Sequence, residues 1–210
     1  MDPSLPLDHP LGGRFVRLDP LTGADYVELH DAIARPEVFA AGYGGGSAGR
    51  PGSVEQFATF ARRYPWASGG RTWVIRIVGG PDDGRVVGTS SLGDVDPANR
   101  RVHLGWTAYT PAVWGTAVNP ECKLLLLGHA FDSGFERVHI QTDAVNERSR
   151  KAVLALGATQ EGVLRHHVLR ADGSWRDTVV FSILSAEWPD VRRRLVERLR
   201  SLDEAPVRLR

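Results

Sequence analysis

The chain has little of several things, and each shortage excludes a class of protein. Its single cysteine, Cys122, cannot close an internal disulfide, so no secreted disulfide framework is expected. No apolar run approaches the length of a membrane span, and the first residues lack the basic-then-apolar pattern of a signal peptide, so the expected location is the cytoplasm. Net charge is only +1, too small for the electrostatic footprint of a nucleic-acid binder, so neither nucleic acid nor membrane is expected as a partner. Lysine is confined to Lys123 and Lys151; the basic residues are otherwise arginine, which reads as coding bias and not as phosphate recognition. Two hundred and ten residues at 42% hydrophobic suffice for one sizeable core and require no second domain.

What is present is organised around His103 to Gly134: a buried strand, a tight loop from Pro111 to Val118, and a long apolar helix. Asn119 suits the N-cap and Pro120 the first helical position, while Gly134 suits the left-handed position past the end. Leu124 to Leu127, Ala130 and Phe131 make the helix too apolar all round for a surface. A loop containing Gly115 that feeds the open N–H groups of such a helix can hold an anion, and a phosphate is the usual one.

Residues 1–13 are Pro-rich and read as a loose N-terminal extension; the main domain runs over 14–185, and 186–210 form an amphipathic helix and tail belonging to it. Arg14 to Leu18 alternates as a strand. A helix capped by Thr22 or Asp25 runs to about Arg35, where Pro36 stops it. Ala40 to Gly52, with six glycines, reads as a mobile loop before a helix from Ser53 to Tyr64. Thr72 to Val78 and Val86 to Leu92 form a hairpin, and Arg101 to Thr110 follows it as a third strand. After the central helix come a strand from Arg137 to Thr142, a helix from Asn146 to Leu156 ended by Gly157, and a hairpin of Val163 to Leu169 with Val179 to Leu184. From Pro189 to Leu202, Val191, Leu195, Leu199 and Leu202 share one face of a peripheral helix. The fold expected is α/β.

Tyr109 to Asn119, followed by Asn146-Glu147-Arg148-Ser149, Leu156-Gly157-Ala158, Glu161 to Arg165 and Asp172-Gly173 to Asp177, resembles the GNAT superfamily of acetyl-CoA-dependent N-acetyltransferases. Gly115, Thr116, Asn119, Glu121 and Lys123 fit a loop form common in the branch that acetylates ribosomal-protein N-termini. The resemblance implies one GNAT-like domain: a mixed, largely antiparallel sheet of about seven strands with a central β-α-β crossover, splayed where the cofactor lies, and helices on both faces. It also implies acetyl-CoA as donor and no metal.

By the same resemblance, Trp114, Gly115, Thr116, Ala117 and Asn119 would cradle the pyrophosphate. The family pattern Gln/Arg-x-x-Gly-x-Gly/Ala falls on Trp114, Ala117 and Asn119; Ala117 stands where the family has Gly, a replacement tolerable if its φ is negative. Backbone groups of Thr107 and Tyr109 would pair with the pantetheine arm, and Asn146 would touch it. Many members place a tyrosine, donor to the departing thiolate, where this chain has Val153; Ser149 is the replacement expected, unless its hydroxyl bonds back into its own helical turn.

A base must take a proton from the attacking ammonium, and His103 occupies a plausible place, since an imidazole with an ordinary pKa of about 6.5 accepts protons at neutral pH. His166 and His167 are alternatives, of which alternation lets only one face a cleft. Cys122, near a helix N-terminus, is either an acyl carrier of lowered pKa or packed and inert. Acceptor selection is expected at Tyr43, Trp66, Trp73 and Trp175. The amine is a small molecule or a protein N-terminus, and a homodimer is left open.

Two rival functions stand beside this one. A non-catalytic acetyl-CoA-binding or regulatory protein is suggested by Val153 and the altered glycines. A serine hydrolase is suggested by Gly45-Gly46-Ser47-Ala48-Gly49, which satisfies Gly-x-Ser-x-Gly but lacks the strand and helix that a nucleophile elbow needs.

Overall fold

The computed structural model describes residues 3, 9–64, 69–202, 205 and 207–209. Its centre is an eight-stranded sheet in the order β1-β2-β3-β4-β5-β6-β8-β7. The strands are β1 (Leu11–Gly12), β2 (Val16–Pro20), β3 (Arg71–Ile77), β4 (Val86–Asp96), β5 (Arg101–Tyr109), β6 (Arg137–Asp143), β7 (Thr159–Leu169) and β8 (Trp175–Leu184). All neighbours are antiparallel except β5 and β6, whose parallel pairing covers only Arg101–His103 against Arg137–His139. Past His103 the two strands part, as expected for the splay.

The crossover between them is α4 (Val118–Asp132), buried with α5 (Glu147–Ala155) and α6 (Trp188–Arg200) against one face of the sheet. α1 (Tyr26–Ile33), α2 (Pro36–Ala40) and α3 (Val54–Ala61) cover the other face through a second cluster, which reaches β3, β4 and β5 but includes no residue of β6, β7 or β8. No residue of α1, α2 or α3 in that cluster reaches the second face of β6, β8 and β7; at its Asp143 end this face is met by the Gly-rich segment after α2, with Gly42 against Asp143. Strand β7 is exposed along nearly its whole length.

Several sequence expectations change. The eighth strand, β1, lies in the stretch read as loose, where Leu11 and Gly12 pair with Leu18 and Arg17. Pro36 ends α1 and also opens α2, because a missing N–H is harmless at a first helical position. The Gly-rich segment is folded: it makes two 3₁₀ turns, Tyr43–Gly45 and Ser47–Gly49, and the Gly45 carbonyl accepts from the Ala171 N–H. Gly44, at φ +60°, has no room for a Cβ against Phe60 and Phe39. The α6 stripe of Val191, Leu195 and Leu199 packs inward against α4, as a peripheral helix should. No described helix is long and apolar enough to cross a membrane.

Helix α4 is buried as its composition dictates, but its buried face includes two charged residues, Glu121 and Lys123. The Glu121 carboxylate accepts from the backbone N–H groups of Arg14, Phe15 and Val16 at 2.8, 2.6 and 2.8 Å. It thereby satisfies the turn into β2, and Gly13 admits it, since a Cβ there would collide with its Cδ. A buried anion with this many donors is held firmly, and removing it strands the donors. Glu121→Gln should cost about 2 to 4 kcal/mol, lowering Tm by roughly 5 to 15 °C in thermal unfolding; an unchanged Tm would show that the turn finds other acceptors.

Candidate active site

The loop into α4 is built from backbone geometry. Gly115 takes φ +78°, a left-handed conformation that glycine adopts without strain. Ala117 sits at φ −66° and ψ −16°, so an alanine fits without strain where the family pattern has Gly. Asn119 is not the N-cap: α4 starts at Val118, with Asn119 and Pro120 inside its first turn. The Thr116 hydroxyl takes over the capping role, accepting from the Val118 N–H at 3.3 Å and donating to the Val113 carbonyl at 2.7 Å. Among the described residues the N–H groups of Gly115, Ala117 and Asn119 have no protein partner, which leaves a backbone cradle suited to a pyrophosphate.

The strand edge leading to this loop is open. From Leu104 to Tyr109, β5 has no partner on its β6 side. A bulge places Trp106 and Thr107 opposite the single residue Ser90, with Trp106 at φ +51°. It turns Trp106 towards Tyr64 in the second cluster, ring centroids 5.6 Å apart. Thr107 turns to the α4 side, where its hydroxyl meets Ser90 Oγ at 2.7 Å and accepts from Lys123 Nζ at 2.8 Å. Burial lowers the Lys123 pKa. The Trp114 indole N–H donates to the Tyr109 carbonyl at 3.1 Å, and the Arg148 guanidinium lies 3.3 Å above the Trp114 ring centroid. This cation–π contact ties the loop before α4 to the first turn of α5.

In that turn Asn146 is the N-cap, accepting from the Ser149 N–H at 2.9 Å. The bond uses the backbone of Ser149; among the described residues its hydroxyl has no partner. Val153 is 6% exposed in the core, so no donor stands where many family members carry tyrosine. Burial raises the pKa of both the Cys122 thiol and the Tyr109 hydroxyl, so both stay protonated at neutral pH. Cys122 is thus the packed thiol, not the acyl carrier.

His103 lies at the vertex of the splay, paired in register with His139. Val102, Leu104, Val138 and Ile140 belong to the α4-side core, so both histidines face the other way. The rings stack at 4.7 Å with 10° between their planes, and His103 Nδ1 lies 3.2 Å from Asp94 Oδ2. Asp94 adopts φ +46°, and its hydrogen bond to His103 holds its pKa below the usual range. His103 Nε2 is buried without a partner. Donor atoms of Asp94, His103 and His139 lie within 4.8 Å of one another, a spacing that could hold a metal ion. The stacking argues against it, since an imidazole binds a metal in its own plane and two parallel rings do not share one ion. Sequence reasoning missed Asp94 and His139, because only the bulged end of β4 and the parallel register bring them to His103.

The remaining candidates divide. His167 Nδ1 lies 3.0 Å from Thr178 Oγ1 on the face of β8 opposite α4, whereas His166, at φ +49°, stacks on the exposed Trp175. Tyr43 meets Tyr64 hydroxyl to hydroxyl at 2.9 Å under the Gly-rich segment. Trp73 is removed from any acceptor role: 3% exposed, it packs on His129 in the α4-side core. Trp66 lies outside the described residues. Ser47 sits in a 3₁₀ turn with no strand before it and no helix until Val54, so the nucleophile elbow is absent.

A sequence profile described as an acetyltransferase (GNAT) domain matches residues 16–159. The chain belongs to the GNAT acetyltransferase family. It is 35% identical to a solved structure described as a putative acetyltransferase from T. thermophilus, covering 92% of this chain and 98% of that one with a TM-score of 0.80. It is 30% identical over 107 residues to the "Putative ribosomal N-acetyltransferase YdaF" of Bacillus subtilis (strain 168); the match spans 50% of this chain and 57% of the relative. Mycobacterium smegmatis RimJ, solved in complex with CoA-disulfide, shares the fold at 21% identity and a TM-score of 0.74, covering 94% of this chain and 97% of that one. The eight-stranded mixed sheet, splayed after its short parallel pairing, is thus a GNAT fold.

Burial, and then the neighbouring His103, lowers the His139 pKa to about 4. The unfolded chain would protonate this group near 6.5, so falling pH favours unfolding between about 6.5 and 4 and does nothing through His139 above that window. His139→Gln should therefore flatten the decline in Tm over this window, measured against wild type in matched buffers. Parallel declines would show that His139 does not set the acid sensitivity.

Proposed function

We propose that this GNAT family member is an acetyl-CoA-dependent N-acetyltransferase whose acceptor is a primary amine, a protein N-terminus in the first instance. The observation that carries the reading is the splay itself: it starts at His103, whose buried Nε2 has no partner, and its open β5 edge runs on to the unpaired N–H cradle before α4. Bound acetyl-CoA supplies an acetyl group already activated as a thioester.

The chain's own residues divide the remaining work. Gly115, Thr116, Ala117 and Asn119, with Trp114 beside them, hold the pyrophosphate; the Thr107 and Tyr109 backbone and Asn146 align the pantetheine arm in the splay. Asp94 accepts a hydrogen bond from Nδ1 of His103, which leaves the Nε2 lone pair free. Nε2 takes the ammonium proton, the freed amine lone pair forms the N–C bond to the acetyl carbon, and the C–S bond breaks with its electron pair on sulfur, which takes up the second proton that the nitrogen sheds to become an amide. The Ser149 hydroxyl donates to the departing sulfur, where charge develops most. A non-catalytic binder would not require an acid-paired histidine at the vertex, and this observation favours the enzyme.

The B. subtilis relative's name points to ribosomal proteins, which supports a protein N-terminus as acceptor. The experiment is acetyl-CoA consumption against pH with one fixed amine, after the amine's own titration has been measured. Wild-type kcat/KM should show an acidic limb that belongs to the enzyme; His103→Gln should lose that limb and fall by roughly 10²- to 10⁴-fold, with acetyl-CoA affinity kept. Retention of both limb and rate would move the base to His167 or to a water chain.

A further inference from the structure

The second face of β6, β8 and β7 extends from the histidine pair towards the β7–β8 turn, with the Gly-rich segment bordering it at Asp143 and Arg170. On β6 it presents His139, Gln141 and Asp143; on β8, by register, Ser182, Val180 and Thr178, with Arg176 two residues further along. The acids of this floor are already neutralised. Asp143, 3% exposed, accepts from Arg170 at 2.8 to 3.1 Å, and Glu161 is bound by Arg137 at 2.5 Å. Arg176 differs: its side chain has no hydrogen bond or ion pair among the described residues, and its Nε is buried. An unpaired, partly desolvated guanidinium is costly, and a planar fork of N–H donors suits a carboxylate.

Distance narrows the ligand. Six residues separate Ser182, opposite His139, from Arg176, roughly 20 Å along the strand at about 3.3 Å per residue. A free amino acid carries amine and carboxylate on one carbon and cannot bridge that span. An extended peptide covers roughly 10 to 14 Å in three or four residues, which the Arg176 side chain can meet from its own end.

We infer that Arg176 selects the acceptor by pairing with an acidic side chain at about the third or fourth residue of a peptide whose N-terminal amine lies at the His103 end of this face. The inference rests on the transferase reading for the position of the amine, but it is tested by binding, which requires no turnover.

The test uses synthetic peptides identical except for Asp or Asn at position three or four, titrated by fluorescence anisotropy onto the CoA-loaded protein and assayed as acceptors. Wild type should bind the Asp peptide about tenfold more tightly than its Asn twin, with the difference appearing in KM and not in kcat. Arg176→Gln should make the twins equivalent, and Arg176→Lys should restore part of the preference, because the charge returns without the fork. Thermal unfolding of both variants separates a lost contact from a lost fold. Equal binding of the twins to wild type, or a preference that survives Arg176→Gln, overturns the inference. A preference that tracks Arg176 without any acetyl transfer would leave it standing and reject the transferase reading.

Discussion

The structure depends on a parallel pairing that stops early. Only Arg101 to His103 of β5 meet β6, and the six residues that follow, Leu104 to Tyr109, run on without that neighbour. A strand edge left open inside a sheet leaves backbone donors and acceptors unmet, which a fold tolerates only where water or a ligand can reach them. The open edge, the loop before α4 and the first turn of α5 border the same gap, and Arg148 on Trp114 ties the last two together. This gap is where the proposed acetyl transfer would take place.

Holding two paired strands apart requires support from behind. The bulge at Trp106 and Thr107 sends one side chain into each core, and the hydroxyls of Thr107 and Ser90 with the Lys123 ammonium brace it from the α4 side. Glu121, two residues earlier in α4, anchors the entry to β2. Two charges are thus buried on one helix, Lys123 bracing the bulge beside the gap and Glu121 the turn into β2, neither paired with the other. Apolar residues would fill the space with less desolvation cost, but they could not hold three N–H groups or a bulge in place.

Much of this was legible in the sequence. Element order, the buried α4, Gly134 past its end and the Gly115 loop follow from periodicity and turn chemistry, which are local. The errors were local ambiguities settled by tertiary context. Pro36 fits both the end of one helix and the start of the next, and Asn119 resembles a cap until Thr116 provides one a few residues earlier. The short β1 carries too few residues to show a pattern. At the site, His103 was identifiable, yet its partners Asp94 and His139 were not, since their approach depends on strand register. Arg176 and Arg170 look alike in sequence; only the pairing of Arg170 with the buried Asp143 sets them apart.

The central claim is that the gap between β5 and β6 is the acyl-donor slot, and backbone amide hydrogen exchange tests it without reliance on any chosen acceptor. With saturating acetyl-CoA, exchange should slow in peptides covering Thr107 to Tyr109, Gly115 to Asn119 and the start of α5, while the exposed β7 keeps its rate. Protection confined to other segments, or thermal stabilisation by acetyl-CoA with no change along β5, would contradict it.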